Sequence, residues 1–402
     1  MSLTSTSPLS MRIQRMEESA TIKMAQDARN LAAQGHDVIS LSLGEPDFDT
    51  PQHIKDAAVQ ALADGYTKYT PVPGLVELRE AIKTKFKRDN NLDYEVNQIV
   101  VSNGAKQSIA NIAHVLLNSG DEVVILAPFW VSYSAIVKIA GGVPVVVKAG
   151  IDTDFKVSAE QLDAAITERT KFVLFSSPCN PTGSVYTHDE LKGMADVIAK
   201  YDDVYIVSDE IYEYINFMGK HVSIGAFPNV KDRTITVNGF SKGFAMTGWR
   251  LGYMGAPKEI AAACQKIQGQ FTSGANAFGQ KAGAVALMSD LTPTYQMRDA
   301  FLHRRDMVIE KLKEIPGFKV NNPQGAFYVF PDISEYFGKS DGNQVINNAD
   351  DFCSYILNNA YVAVVTGSAF GEDNCFRLSY AASEEQLLEA ISRIKAACAK
   401  LS

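Results

Sequence analysis

Cysteines are few in this sequence, and nothing in their spacing would pair them. The five cysteines are odd in number, scattered along the chain and free of any C-x-x-C spacing. This usage is typical of free thiols in a reducing compartment, so we expect no disulfides and a cytoplasmic location. The six histidines form no H-x-x-x-H pair and no mixed cluster with cysteine, and we predict no metal site.

Long apolar runs and an excess of positive charge are also missing. The longest apolar stretch, near residues 123–131, is far too short to cross a bilayer. The 38 Lys and Arg residues against 46 Asp and Glu residues give a formal net charge of −8. That balance argues against a nucleic-acid or membrane partner, although a few local cations can still bind a small anionic ligand.

The length and the two ends of the chain indicate how it is organised. A chain of 402 residues exceeds one compact core and predicts two domains that share a cleft. The first ten residues, rich in serine and threonine, lack both an apolar region and a run of arginines. We expect residues 1–10 to be a disordered stub, with a trimmed transit peptide as the alternative.

The middle of the chain alternates short β-branched runs with helical patterns, which predicts an α/β fold with a parallel sheet and crossover helices. Continuous apolar runs such as VVILA, PVVV and FVLF indicate strands that are buried on both faces. The predicted strands are 99–102, 122–127, 143–147, 172–175, 204–208 and 234–237. Helices are predicted between them, including 106–117 and 188–201.

A long amphipathic stretch over residues 295–315 predicts a helix that connects to the second domain. The remaining predicted elements are a strand over 326–330, a polar loop over 338–348 and a strand over 376–380. The first fifty residues are expected to fold back onto this part, because LSLGEPDFDTP is typical of an extended segment between two helices. The expected division is a large domain of residues 49–296 and a small domain of residues 11–48 and 297–402.

Polar clusters follow several predicted strands, at the edge where ligands of open parallel sheets bind. After the strand 99–102 comes a turn of small residues that contains Gly104, Ala105 and Lys106 and leads into a helix. The free N–H groups at the start of a helix make such a turn a phosphate cradle. An ordinary strand-to-helix turn is the alternative.

Two further clusters supply a side-chain amide and a carboxylate. In SSPCNPTG, prolines flank Asn180 and stiffen its loop, so the amide can point at one ligand atom. A simple tight turn explains that segment equally well. In SDEIY, Asp209 ends an apolar strand and needs a cationic partner if it is buried, or else it is the N-cap of a helix.

Two cationic side chains lie in unusually apolar surroundings. Lys242 lies ahead of Arg250 in NGFSKGFAMTGWR, a stretch rich in glycine and aromatic residues. An amine among apolar neighbours can lose its proton and act as a nucleophile, whereas a solvated surface lysine is the common alternative. Arg377, in the strand-like FRLSY, suits either a carboxylate ligand or an internal ion pair.

Two turn segments complete the candidates. Gly44, in GEPDF, would let the backbone approach a ligand closely, and Tyr69, in KYTP, offers a phenol from a turn. Turn chemistry alone also explains both segments.

Taken together, four motifs resemble the class I aminotransferases of pyridoxal-phosphate (PLP) fold type I. The motifs are SSPCNPTG, SDEIYE, NGFSKGFAMTGWRLGY and FRLSYA, and the likeness runs from about Met11 to the C-terminus. The resemblance implies a large domain with a mostly parallel central sheet flanked by helices. It also implies a smaller α+β domain formed by both termini.

The resemblance assigns the catalytic and ring-binding residues of pyridoxal 5′-phosphate. It makes Lys242 the lysine that forms a Schiff base with the cofactor and then shuttles the substrate proton. Asp209 would pair with the pyridine nitrogen and keep it protonated. Asn180 and Tyr212 would hydrogen-bond the phenolic oxygen of the ring, and Trp130 would stack on its face.

The resemblance likewise assigns the phosphate and the substrate carboxylate. The expected phosphate ligands are Gly104, Ala105, Lys106, Ser241 and Arg250. Tyr69 matches a tyrosine that reaches the phosphate from the neighbouring subunit, which implies a homodimer with shared active sites. Arg377 matches the arginine that binds the substrate α-carboxylate, and Gly44, Trp130 and Asn180 would lie beside it.

Within the family, the sequence looks most like the prokaryotic and plastid-type aspartate aminotransferases, some of which also use prephenate. Lys106 matches the lysine that recognises the distal carboxylate in that subgroup, and Thr21 matches a second residue linked to dicarboxylate binding. Other members use an arginine of the partner subunit for this task, and residues 268–284 contain no arginine. Cys179 is a departure, because the subgroup usually has Ser or Asn there, but its neighbour Asn180 is intact.

The implied reaction is ping-pong transfer of the amino group of L-aspartate or L-glutamate to a 2-oxo acid such as 2-oxoglutarate, with prephenate as a possible acceptor. The alternative within the family is an aromatic or alanine aminotransferase or a carbon–sulfur β-lyase. A PLP-binding transcription regulator shares the fold, but the sequence has no room for a DNA-binding module before Gly44 and no basic patch.

Overall fold

The computed structural model describes residues 7–14, 16 and 18–402. The expected stub, residues 1–10, therefore lies partly outside the described residues. No helix in the described part of the chain is both long enough and apolar enough to span a membrane.

A mixed, mostly parallel sheet forms the centre of the larger part of the molecule. Its strands, together with those of two small sheets, are β1 (Ile39–Ser40), β2 (Ile99–Ser102), β3 (Glu122–Ala127), β4 (Val143–Lys148), β5 (Thr170–Ser176), β6 (Tyr205–Asp209), β7 (Thr234–Gly239), β8 (Gly252–Gly255), β9 (Tyr328–Val329), β10 (Val362–Ala363), β11 (Val365–Thr366) and β12 (Phe376–Ser379). The seven-stranded sheet has the order β2-β8-β7-β6-β5-β3-β4. Strands β3 to β7 are mutually parallel, and β8 pairs antiparallel with β2 and β7.

Each of the six predicted strands of this sheet is present, but the prediction that PVVV is buried on both faces is wrong. It lies in β4, the edge strand of the sheet, where Val143 is 46% and Val146 is 40% exposed. An apolar run in the sequence does not show whether its strand lies in the middle of a sheet or at the edge of the sheet. The sequence also did not indicate β8, because GYMG has no β-branched residue and no alternation of apolar and polar residues.

Helices pack on both sides of the sheet and fill the connections. They are α1 (Met11–Gln14), α2 (Ala20–Ala33), α3 (Gln52–Ala63), α4 (Val76–Lys85), α5 (Ala105–Leu116), α6 (Ser132–Ile139), α7 (Ala159–Ala165), α8 (His188–Ile198), α9 (Lys258–Phe271), α10 (Ala277–Met288), α11 (Thr292–Lys313), α12 (Ala349–Ala360) and α13 (Glu384–Cys398). Helix α8 begins with a capping box in which Thr187 and Glu190 each bond the other's backbone N–H. The predicted helices 106–117, 188–201 and 295–315 correspond to α5, α8 and α11.

A second, smaller core lies around the C-terminal third of the chain. Strands β11, β12 and β9 form an antiparallel sheet, and β1 from the N-terminal segment pairs with β10. Ile39 and Leu41 therefore pack with Phe301 and Phe376 in one apolar cluster. The α/β fold with a mostly parallel sheet is confirmed. The division into a large domain of residues 49–296 and a small domain of residues 11–48 and 297–402 stays a prediction.

Candidate active site

The candidate site lies where the parallel strands β5, β6 and β7 end. Ser176 and Asp209 are register partners at the ends of β5 and β6, and β7 ends at Gly239, shortly before Lys242. Because parallel strands end at one edge of the sheet, residues far apart in sequence meet there.

Asp209 is a buried carboxylate that lacks a cation. It is 4% exposed, and its Oδ2 accepts a hydrogen bond from Tyr133 Oη at 2.7 Å while Oδ1 accepts one from Ile211 N at 3.2 Å. Burial raises the pKa of Asp209 to about 6, and the Tyr133 hydrogen bond opposes that rise. No Lys, Arg or His among the described residues forms an ion pair with it, so the site favours a cationic ligand group here.

Lys242 is half-buried and is not a solvated surface lysine. Its Nζ donates a hydrogen bond to the carbonyl of Gly44 and lies 5.8 Å from the ring centres of Tyr212 and Phe327. Burial, and then the positive charge of Arg377, lower the pKa of Lys242 to about 8. An amine with that pKa is partly neutral near pH 7, as a nucleophile or general base requires.

Arg377 is a buried cation without a counter-charge. It is 2% exposed on β12, where Nη1 donates to Asn180 Oδ1 at 2.9 Å and Nη2 donates to Ser42 O at 2.5 Å. Its Nε has no hydrogen-bond partner, and burial lowers its pKa. Among the described residues no carboxylate pairs with it, so the alternative of an internal ion pair is wrong and a carboxylate ligand is favoured.

Two tyrosines lie between these charged groups. Tyr212 Oη and Tyr328 Oη are hydrogen-bonded at 2.8 Å, and burial holds the pKa of Tyr212 well above its usual value. Gly44 lies against the second ring, since a Cβ on it would be 2.5 Å from Tyr328 Oη. Any larger residue at position 44 would displace that hydroxyl.

A cationic cradle lies at the start of α5. Gly104, the N-cap, has φ +86°, and a Cβ there would lie 2.6 Å from Arg250 Nη2. Desolvation, and then the charge of Arg250, lower the pKa of Lys106, whose Nζ lies 4.9 Å over the Trp130 ring. Two cations beside free helical N–H groups favour an anion such as a phosphate. Ser241 is buried next to Lys242.

Two predicted residues are not among the buried site residues. Tyr69 is 99% exposed on its own chain. Thr21 is half-exposed in the first turn of α2. Its neighbour Ala20 packs on the cluster that contains Phe370, whose ring lies 5.0 Å from Arg377.

Three contributors were missed by reasoning from sequence. Tyr133 lies one helical turn after Trp130 and meets it edge-on, which could have been recognised from the spacing. Tyr328 lies in the predicted strand 326–330 without a motif of its own. Ser42 contributes only its backbone carbonyl, and the type of residue does not indicate such a role.

The residues present fit pyridoxal 5′-phosphate. The cradle offers cations for a phosphate, Asp209 offers a carboxylate for a protonated ring nitrogen, and Lys242 offers an amine for an aldehyde. Cys179, the departure from the family pattern, donates to Pro128 O at 3.4 Å, and burial raises its pKa. Its thiol therefore stays protonated, and Asn180 keeps its contact with Arg377.

Comparisons with known proteins agree with this geometry. The family described as aminotransferase class I and II matches residues 36–394. An aspartate/prephenate aminotransferase of Cereibacter sphaeroides is 47% identical over 397 residues, which cover 98% of this chain and 99% of that protein. The solved aspartate aminotransferase of Rhizobium meliloti has a TM-score of 0.96 and 42% identity, covering 98% and 100% of the two chains. An aromatic aminotransferase structure from Pyrococcus horikoshii has a TM-score of 0.85 and 40% identity, covering 93% and 98%.

Proposed function

The chain belongs to the class I and II aminotransferases, and on that premise we propose that it transfers the amino group of L-aspartate or L-glutamate to a 2-oxo acid. The proposed cofactor is pyridoxal 5′-phosphate, and prephenate is a possible acceptor. The observation that carries the substrate proposal is a pair of cations, Arg377 and Lys106, without carboxylate partners among the described residues. Two carboxylates on one substrate would match them.

The side chains of this chain divide the work of the reaction. When bound, the cofactor supplies an electron-accepting ring that makes the substrate Cα–H bond easier to break. Asp209 holds a proton at the ring nitrogen, and Asn180 and Tyr212 orient the ring oxygen. Lys242 Nζ takes the proton from the substrate Cα as a base and, as an acid, would give it to the carbon of the bound cofactor; its pKa of about 8 permits both roles near neutral pH. Arg377 binds the α-carboxylate and fixes the substrate for that transfer.

We further propose a homodimer, with Tyr69 completing the phosphate site of the neighbouring subunit. Its full exposure in the single chain supports this, since tyrosine is enriched at protein interfaces. Val59 and Phe271 are also 67% and 62% exposed.

The proposed division of the chain remains a large domain of residues 49–296 and a small domain of residues 11–48 and 297–402.

Substitution of Lys106 by alanine tests the substrate proposal. A charged hydrogen bond contributes about 1.5–3 kcal/mol, so kcat/KM for aspartate should fall roughly ten- to a hundredfold. Turnover of alanine, which lacks the distal carboxylate, should change less than about threefold. The exposed Lys138→Ala serves as the matched control.

The two ways of failing are distinguishable. If aspartate turnover survives in Lys106→Ala, the dicarboxylate assignment is wrong and an aromatic or alanine aminotransferase is favoured. If aspartate and alanine turnover fall together, Lys106 serves the cofactor phosphate instead. Addition of aspartate to the wild-type holoenzyme should bleach its visible absorbance, and 2-oxoglutarate should restore it.

A further inference from the structure

The turn that follows β6 has two faces. Asp209 and Tyr212 face the candidate active site, where they bond the phenols described above. Glu210 and Glu213 face the opposite way and are 1% and 5% exposed. The turn is tied together by its own backbone, because Glu213 N donates to Glu210 O at 2.9 Å. Its two faces cannot move independently.

The two glutamates enter a buried polar cluster that the reaction does not use. The ammonium of Lys85, which is 0% exposed, forms an ion pair with Glu213 and donates to Asn90 Oδ1 at 2.5 Å. Asn90 Nδ2 lies 2.7 Å from Glu213 Oε2 and 3.1 Å from Glu210 Oε2. One amine and one amide thus connect both carboxylates.

The other side of Glu210 is also occupied. Ser208 Oγ donates to its Oε1 at 3.0 Å, and Ser223 Oγ donates to its Oε2 at 2.6 Å. His221 Nε2 lies 3.0 Å from the same Oε2. The ligand atoms of Glu210, Glu213 and His221 lie within 4.8 Å of one another, as in a metal site. The ammonium of Lys85 already supplies a cation there, while neither ring nitrogen of His221 has a hydrogen-bond partner among the residues that the structure describes.

An irregular helix end brings Lys85 and Asn90 into this network. Helix α4 ends at Lys85 and continues as a π-helical turn over Phe86–Asn90, followed by Asn91 at φ +56°. The wider π turn directs both side chains to the same side, towards the glutamates. Such insertions occur mostly where a helix serves a specific site.

We propose that Lys85 and Glu213 are positioning residues that hold Asp209 and Tyr212 in place from behind their turn. The proposal rests on the proposed function, because those two residues are assigned to the cofactor ring. Breaking a buried ion pair leaves an uncompensated charge, which the protein relieves by moving the charged group towards water. Movement of Glu213 would carry the short turn with it and misplace both ring-binding groups.

The experiment compares Lys85→Met with Lys83→Met in the full-length holoenzyme. Lys83 lies in the same helix, and its pair with Glu95, at 2.8 Å, is exposed. Three quantities are measured: the Kd for pyridoxal 5′-phosphate, the visible circular dichroism of the bound cofactor, and amide hydrogen exchange of the 209–214 turn without cofactor. Urea unfolding records stability separately.

Lys85→Met should weaken cofactor binding roughly tenfold, the scale expected of residues that act on a ligand without touching it. It should also reduce the circular dichroism and accelerate exchange in the turn, whereas Lys83→Met should alter none of these. Glu213→Gln in the Lys85→Met background removes both charges and should restore most of the affinity.

A Lys85→Met protein that is less stable in urea but normal in all three readouts would overturn the proposal. If that variant does not fold, Glu213→Gln alone takes its place, and an unchanged Kd with unchanged turn exchange then refutes the idea. Failure of wild-type protein to bind the cofactor would refute the proposed function instead. The exchange of the cofactor-free turn still tests the anchoring in that case.

Discussion

Replacement of Arg377 by methionine should remove most of the activity and leave the fold about as stable as before. The guanidinium is 2% exposed, and two of its nitrogens donate to Asn180 and Ser42 while Nε has no partner. The positive charge of Arg377 is therefore already buried in the ligand-free protein. Methionine matches arginine only as far as Nε, so it fills part of the space beside the Tyr328 and Phe370 rings.

The two effects have different magnitudes. Removal of the guanidinium fork weakens the binding of a carboxylate by about 3–5 kcal/mol, so kcat/KM should fall roughly 10²- to 10⁴-fold. In the free protein the substitution removes an uncompensated buried charge, which is favourable. It also leaves Asn180 Oδ1 and Ser42 O without their donor, which costs about 1 kcal/mol for each oxygen. The free energy of unfolding should therefore change by less than about 2 kcal/mol.

Single-turnover kinetics with aspartate and with alanine measure the first effect, and urea unfolding of the substrate-free protein measures the second. Both amino acids have an α-carboxylate, so both rates should fall alike, unlike the aspartate-selective loss expected for Lys106→Ala. A loss below about tenfold, or one confined to aspartate, would refute the role of Arg377. A large loss of stability would refute the claim that its charge is uncompensated.

Two further predictions concern the cofactor-free protein and the cradle. The pKa of Asp209 rises from 3.8 to about 6 on folding, so the folded state binds its proton more tightly and stability falls as pH rises through that range. Asp209→Asn should abolish this fall, about 2 kcal/mol between pH 4 and pH 6, and a difference from wild type that does not vary with pH would contradict it. Gly104→Ala should weaken cofactor affinity roughly tenfold in equilibrium dialysis, because its Cβ would displace Arg250. Gly120→Ala, at a similar φ of +90° with nothing within 4 Å, controls for backbone strain and should leave the affinity unchanged.

Much of the central sheet was predictable from local sequence. The strands 99–102 and 122–127 were predicted with the bounds they have, because runs rich in β-branched residues strongly favour the strand conformation. Strand β8 was not, since its pairing with β2 and β7 imposes an extended conformation on a segment without that preference. The exposed edge of β4 was missed for a related reason: strand order is a property of the whole sheet.

In the candidate site too, some features follow from local sequence and others depend on distant contacts. Lys242, Asp209 and Arg377 were predicted because charged side chains in apolar motifs are costly unless they have a use. The structure brings them together, while their assigned roles stay a proposal. The carbonyl of Ser42 and the anchoring of the 209–214 turn by Lys85 depend on contacts between distant segments, which no local pattern contains.

The hairpin formed by β7 and β8 has a consequence for how such a protein can diversify. Lys242 and Arg250 lie on the loop that joins these antiparallel strands, whose ends pair at Gly239 and Gly252. Arg377 belongs to a different sheet, on β12. Under the proposed function, the hairpin and β12 thus supply the cofactor site and the α-carboxylate site from separate pieces of chain. Drift or laboratory selection around β12 can therefore change how the α-carboxylate is held while the hairpin sequence stays the same.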